Sequence, residues 1–514
     1  MPKKTFLLVA LFLFPTMCLA HVGSPDVYFD GYAGPYHLLV TIRPPSVVPG
    51  VAQIQVRCVC NDISQVEILP LRLSGRGSQF SPTPDVAQRS SADPQVFSGN
   101  LWIMVRGGWK VQINAEGQQG KGELAVPVSA VSLTSAGMKK SLGALLLLLG
   151  ICLVAGMVSI IGAANRDASL EPRQSPSFDH RQRGKVGMII TAALIALALY
   201  GGSKWWGVEA SADAEKSYKI PHVESSLAGD VLQLHLANPN ARTQASGKEM
   251  RWNDDEQIQL GDLVPDHGHL MHLFLVRTPD MKSFWHLHPE PAGTGDFAGS
   301  LPSIPPGHYR IFADIVHATG FPETEIGEID LPAVSGKPAG ADDAGVADLS
   351  ASEKVSQLTD GYRMVWERPD SAPLKSKQPI LFRFRMEDRN GKAATGLENY
   401  MGMAGHAVFM RTDGQVFAHV HPAGSVSMAA TQLARGENPA KEMDMTMSGM
   451  HGMDGTAPAQ AMSSSSAAGP SGLPSAEVTF PFGFSQPGEY RIFVQIKRAG
   501  HVETGSFVAH VVDN

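Results

Sequence analysis

A short hairpin signature occurs twice in this chain, and its duplication limits the fold more than any other feature. The first copy runs from His267 to Arg277, turns at Pro279-Asp280-Met281, and returns through Phe284-Trp285-His286-Leu287-His288-Pro289. The second runs from Tyr400 to Arg411, turns at Asp413-Gly414, and returns through Phe417-Ala418-His419-Val420-His421-Pro422. Both are apolar, β-rich arms around a turn, and Asp-Gly is among the strongest two-residue hairpin signals.

The spacing fixes an expected register. A two-residue loop at Asp413-Gly414 pairs Thr412 with Gln415 and, counting outward, His406 with His421. His419 joins the same face because side chains alternate with a period of two. A three-residue loop at Pro279-Asp280-Met281 pairs His272 with His288 and places His286 on their face. Opposed Cβ atoms lie about 4.5–5.5 Å apart, which lets imidazoles converge on one ion through bonds of about 2 Å. Each copy is therefore expected to build its own three-histidine face.

Ahead of that face the copies differ. Where the first has His267 and His269, the second has Met401 and Met403. Exchanging imidazole for thioether has little packing logic, but both ligate copper. A lone HxHP would be read as a strand end with half-buried, hydrogen-bonding histidines. The duplication and the His/Met exchange favour a metal.

The duplication extends past the hairpins. Pro306-Gly307-His308-Tyr309-Arg310-Ile311-Phe312-Ala313 matches Pro487-Gly488-Glu489-Tyr490-Arg491-Ile492-Phe493-Val494. Residues 216–335 and 352–514 are thus two repeats, each expected to be a seven- or eight-stranded sandwich, with residues 336–351 as an Ala-, Gly- and Asp-rich linker. The second repeat carries an insertion at 430–474, far longer than an ordinary connection. Within it lie Met443, Met445, Met447, Met450, His451 and Met453. Thioethers at this density, flanked by Ser463–Ser466, do not make a core stripe. They suit Cu(I) and survive in an oxidising compartment where free thiols are lost.

Residues 1–20 have the basic start, apolar run and small-residue end of a secretory signal. Residues 21–136 alternate apolar and polar positions between Pro, Gly and Asn turns, as a β-sandwich does. Gly34-Pro35-Tyr36-His37-Leu38, Phe97-Ser98-Gly99-Asn100-Leu101-Trp102 and Gly107-Gly108-Trp109-Lys110-Val111, with the later Pro-Gly-x-Tyr-Arg-Ile-Phe strands, resemble the YtkA/FixH-like family of extracytoplasmic β-sandwiches. That resemblance implies a fold and a membrane setting rather than an activity. Cys58 and Cys60 are spaced to share a strand face, where after export they would bind soft metal, oxidise (with strain in any bridge between residues two apart), or stay as partly buried thiols.

Leu142–Ala163 and Val186–Trp206 are apolar runs of spanning length. The residues between them, 164–185, hold an Arg/Lys excess that marks the cytoplasmic side. The sandwiches are then expected on the extracytoplasmic, periplasmic face of the inner membrane. Of 18 histidines, only His180 falls in the inner loop. A net charge of -7 argues against nucleic acid as a partner.

The expected architecture is all-β, three immunoglobulin- or cupredoxin-like β-sandwich domains plus two transmembrane helices. The expected function is membrane-anchored copper binding for tolerance or delivery, with a copper-accepting or copper-exporting protein as partner. No catalytic residue is assigned. The alternatives are a zinc- or copper-dependent enzyme at a three-histidine site, and a structural, partner-binding membrane protein without metal. Against an enzyme, no Asp or Glu is obviously placed as a general base.

Overall fold

The computed structural model describes residues 26–59, 62–74, 78, 80–134, 137–171, 173–215, 217–237, 260–337, 340, 342–368, 372–440 and 475–514. The expected signal segment, Cys60 and the methionine-rich stretch from Met443 to Met453 lie outside these residues. The chain divides into two units, one of β domains (Met1–Pro45, Pro49–Ala130 and Ile220–Asn514) and one of helices (Ser46–Val48 and Val131–Lys219).

The helical unit holds Lys140–Asp167 and Phe178–Glu215. Both helices are long and apolar enough to cross a membrane. Their mutual packing uses small residues: a Cβ on Gly162 would meet the Met188 side chain at 2.3 Å. Close approach through glycine is the usual contact between apolar helices in lipid, where no hydrophobic force drives association.

In the β unit, residues Val27–Ala130 form a five-stranded and a four-stranded sheet. Strand Gly50–Cys58 shows why: Ala52, Ile54, Val56 and Cys58 are buried while alternate residues are more exposed, the period-two pattern of a half-buried strand. Cys58 is disulfide-bonded. The first repeat forms one continuous nine-stranded sheet rather than a separate pair. It curls on itself, and a parallel contact at His222↔Ile326 joins its halves. The second repeat has a four-stranded sheet (Val355–Gln357, Arg363–Glu367, Ile380–Glu387, Glu477–Phe482) facing a six-stranded one.

Both hairpins adopt the register expected from their turns. Leu273 pairs with Leu287 and Phe274 with His286; Ala407 pairs with Val420 and Val408 with His419. Neither outgoing strand alternates, because His272–Val276 and His406–Met410 are buried throughout. Leu273 and Leu275 enter the first repeat's own core, as Ala407 and Phe409 enter the second's. The opposite faces, with Phe274 and Val276 from one strand and Val408 and Met410 from the other, meet in a third core between the repeats. There Phe417 stacks on Phe312 at 4.2 Å and Phe284 on Phe493 at 4.2 Å. The histidines are the polar end of this shared face.

The expected linker is part of the fold. Ala344–Val346 pairs with Phe284–Leu287 at the edge of the first repeat's sheet, which draws Asp342 and Asp343 to the histidines. The start of the insertion is also ordered: Met428–Arg435 is a helix capped by Ser427.

Candidate metal centre

The two faces expected to be separate sites form one cluster. His267, His269, His272, His286 and His288 from the first repeat meet His406, His419 and His421 from the second, each ring within 6.2 Å of another. Two groups within it are able to hold a metal ion, His272/His286/His288 and His267/His406/His421.

The first group's tautomers follow from its hydrogen bonds. His272 Nε2–H donates to the Asp266 carbonyl at 3.0 Å. His286 Nδ1–H donates to Gln495 Oε1 at 3.0 Å. His288 Nδ1–H donates to Asp343 Oδ1 at 3.1 Å. Each far nitrogen thus carries the proton, and a neutral imidazole has only one. The remaining lone pairs converge, with His272 Nδ1 3.0 Å from His286 Nε2 and 3.2 Å from His288 Nε2. Bonds of about 2.0–2.1 Å to one ion at roughly 90–110° separate nitrogens by about 2.8–3.4 Å, so the spacing fits a shared ion. Bonded far nitrogens are the usual outer support of a metal-binding histidine.

The second group differs from expectation. His421 Nδ1–H donates to the Val426 carbonyl at 3.0 Å, and its Nε2 lies 3.3 Å from His267 Nε2. The third member is thus His267, from the other repeat, rather than His419. His267 gets there through a tight turn, Asp266-His267-Gly268-His269, closed by His269 N–H donating to the Asp266 carbonyl at 3.0 Å. Its central residues have φ of 53° and 85°, the left-handed pair of a type I′ turn, which glycine adopts without cost at the second position. Tyr400-Met401-Gly402-Met403 repeats the turn with φ of 51° and 78°. The Met401 backbone lies close enough to the His267 imidazole to favour its charged form, so the two turns meet.

His419 and His269 flank the groups. His419 Nδ1 lies 3.4 Å from Asp314 Oδ2, and its buried Nε2 has no hydrogen-bond partner. Both ring nitrogens of His406 are likewise buried without a partner. Leaving a buried polar group unsatisfied costs about 1–3 kcal/mol, a cost that ligation would relieve. His269 stacks on His288 at 4.0 Å with Nε2 3.5 Å from Asp342 Oδ2.

The electrostatics suit cation binding. Burial holds His267, His286, His288, His406 and His419 well below the ordinary imidazole range and His272 at about 3. The imidazoles are therefore neutral at neutral pH, the form that ligates. Burial raises Asp314 to about 7, against the opposing Thr324 hydrogen bond.

Asp266, Asp314, Asp342, Asp343, Tyr400 and Gln495 were not foreseen. Asp314 and Gln495 were within reach, since each follows the matched Pro-Gly-x-Tyr-Arg-Ile-Phe strand at the same position and pairs with a cluster histidine, His272↔Asp314 and His406↔Gln495. Tyr400 donates to the Asp342 carbonyl at 2.8 Å and lies 3.4 Å from His286 Nδ1.

Residues 228–325 and 356–513 match the family described as "Domain of unknown function (DUF8832)". The matched stretches contain all eight histidines of the cluster. No curated protein matches the chain. Among solved structures, Salmonella alpha-2-macroglobulin reacted with methylamine is similar over 96% of this chain and 24% of its own, at 11% identity and a TM-score of 0.19. Escherichia coli alpha-2-macroglobulin in its native conformation is similar over 93% and 26%, at 10% identity and a TM-score of 0.16. The chain spans about a quarter of the length of these proteins.

Proposed function

We propose that the protein is a membrane-anchored, extracytoplasmic copper-binding protein that serves copper tolerance or delivery. One observation carries the reading: three imidazole lone pairs converge at 3.0 and 3.2 Å while each far nitrogen is held by a protein acceptor. Lone pairs facing one another repel unless a cation lies among them. Imidazole ligates copper, zinc, iron and nickel alike. Copper is favoured by Met401 and Met403 at the turn homologous to His267 and His269, and by the methionine-rich stretch at Met443–Met453. The disulfide at Cys58 suits an oxidising compartment, and the two apolar helices suit an anchor. The YtkA/FixH-like resemblance points to the same side of the membrane. The partner on this reading is a protein that accepts or exports copper.

The test is metal analysis of the full chain purified in detergent and offered copper and zinc together. Copper retained, and reduced on His286→Ala, supports the reading; zinc retained instead, or no metal, refutes it.

A second reading, a three-histidine metal enzyme, gains from Asp314. Its carboxyl is buried beside His419 and raised to about 7, the range of a general base. Hydrolytic turnover by the zinc-loaded chain, abolished by Asp314→Asn, would favour it.

A further inference from the structure

We propose that the two histidine groups hold their ions as one interacting pair, a dinuclear copper centre assembled only where the two repeats dock. The inference rests on the copper reading above and goes beyond it, because two separate three-histidine sites would serve copper binding equally well.

Three observations carry it. First, the groups are in ring contact. His267 of one lies 5.9 Å from His272 of the other, and His406 lies 6.2 Å from His286, centroid to centroid. The imidazoles of the two groups therefore meet directly. Second, His419 touches both groups, at 5.4 Å from His272 and 5.6 Å from His286 on one side, and at 5.4 Å from His406 and 4.6 Å from His421 on the other. Its Nε2 is buried without a partner, and although its nitrogens fall outside both three-histidine groups, its ring stands at the border of the two. Third, both groups draw on both repeats, the second for a ligand and the first for the acceptor that orients one. The second takes His267 from the first repeat, and the first has His286 fixed by Gln495 of the second.

A close pair differs from two isolated ions in ways that can be measured. Two Cu(II) ions about one imidazole apart couple magnetically, whereas isolated ions contribute independent spectra. Filling the second position also fastens one repeat to the other, because its ligands come from both.

The experiment loads the detergent-purified full chain with Cu(II) and records copper content and electron paramagnetic resonance on the same samples. Two ions per chain are expected. The second equivalent should bring a half-field transition or a spin count below the copper count. His267→Asn, chosen because asparagine tolerates positive φ, should bind one ion and give the spectrum of an isolated Cu(II). His406→Asn, altering the same group from the other repeat, should do the same. Two ions with additive, non-interacting spectra overturn the pair while leaving the copper reading intact. So does retention of both ions by His267→Asn. A wild-type chain that binds no copper sinks the copper reading itself, and the pair with it.

Discussion

Asp314 of the first repeat lies 3.4 Å from His419 of the second. Gln495 returns the relationship, accepting from His286 of the first repeat at 3.0 Å. The two occupy one position of the duplicated fold, opposite His272 and His406, and each contacts a threonine on the next strand. Thr324 Oγ1–H donates to Asp314 at 2.6 Å, and Gln495 Nε2–H lies 3.4 Å from Thr504 Oγ1. Each repeat therefore holds the other's histidine.

This exchange predicts a metal phenotype on top of a modest loss of stability, because each change leaves a buried polar group unpartnered. Gln495→Leu removes the acceptor that fixes the His286 tautomer and should weaken the first ion about 10- to 100-fold. Asp314→Asn should perturb His419 and weaken the second. Competition titration against a chelator measures both. Unchanged affinity in Gln495→Leu would show that the His286 ring is fixed by its packing on Phe274 instead.

The hairpins were legible in the sequence because strand, turn and returning strand are local. Asp413-Gly414 alone sets the pairing of Ala407 with Val420. What was not legible is the docking of one repeat on the other, which brings residues over a hundred positions apart into contact. That docking exchanges His267 for His419 in the second group and turns an apparent spacer into the source of Asp343. One local trace of it existed. Leu273-Phe274-Leu275-Val276 and Ala407-Val408-Phe409-Met410 are unbroken apolar runs, and such runs mark strands covered on both faces.

Phe417→Ala tests the docking. The ring stacks on Phe312 and meets Phe274 at 5.2 Å, and its strand carries His419. Truncation should cost about 3–5 kcal/mol and lower the affinity for the second ion. Phe484→Ala, inside the second repeat's own core, should cost a similar amount with a smaller effect on metal. Thermal unfolding and copper titration of both variants separate docking from folding; equal effects on copper would contradict a role for the shared face.

The metal-free protein should lose stability on acidification. Burial holds the imidazoles of His267, His286, His288, His406, His419 and His421 below 6.5 in the fold and that of His272 at about 3. Below about pH 6.5 the unfolded chain takes up protons that the folded chain refuses, so stability falls as pH drops from there toward the folded values. His317 has the opposite sign. Burial works against its charge, but bonds to Asp262 at 2.7 Å and Glu323 at 3.1 Å prevail and lift it to about 9. Its contribution is complete below about pH 6.5 and lost as pH rises through about 9. Melting temperatures from pH 5 to 10 should fall at both ends. A flat acid limb would mean that the cluster opens to solvent, and His317→Gln should remove part of the alkaline loss.

The helical unit makes a prediction about sidedness. With 164–185 inside, a reporter active only in the cytoplasm should work when fused after Gln174 and fail when fused after Asn514. The reverse pattern would put the histidine cluster in the cytoplasm and remove the argument from an oxidising compartment.

The insertion of the second repeat leaves from the metal centre itself. Its first helix, Met428–Arg435, starts with the Ala429 N–H donating to Asp266 Oδ1 at 2.7 Å, and the carbonyl of Asp266 holds His272. The methionine-rich stretch lies a few residues beyond the described end at Ala440. Thioether sulfur is polarizable and uncharged, a good ligand for a monovalent d¹⁰ ion and a poor one for zinc. Changing Met443, Met445, Met447, Met450 and Met453 together to Ser should therefore lower Cu(I) stoichiometry under reducing conditions. The two Cu(II) ions of the histidine cluster should stay, since none of their proposed ligands is touched. Slower transfer of copper into the cluster, read by stopped-flow after adding a Cu(I) complex, would identify the stretch as the entry point for Cu(I). Undiminished Cu(I) binding would leave it a connection without a metal role.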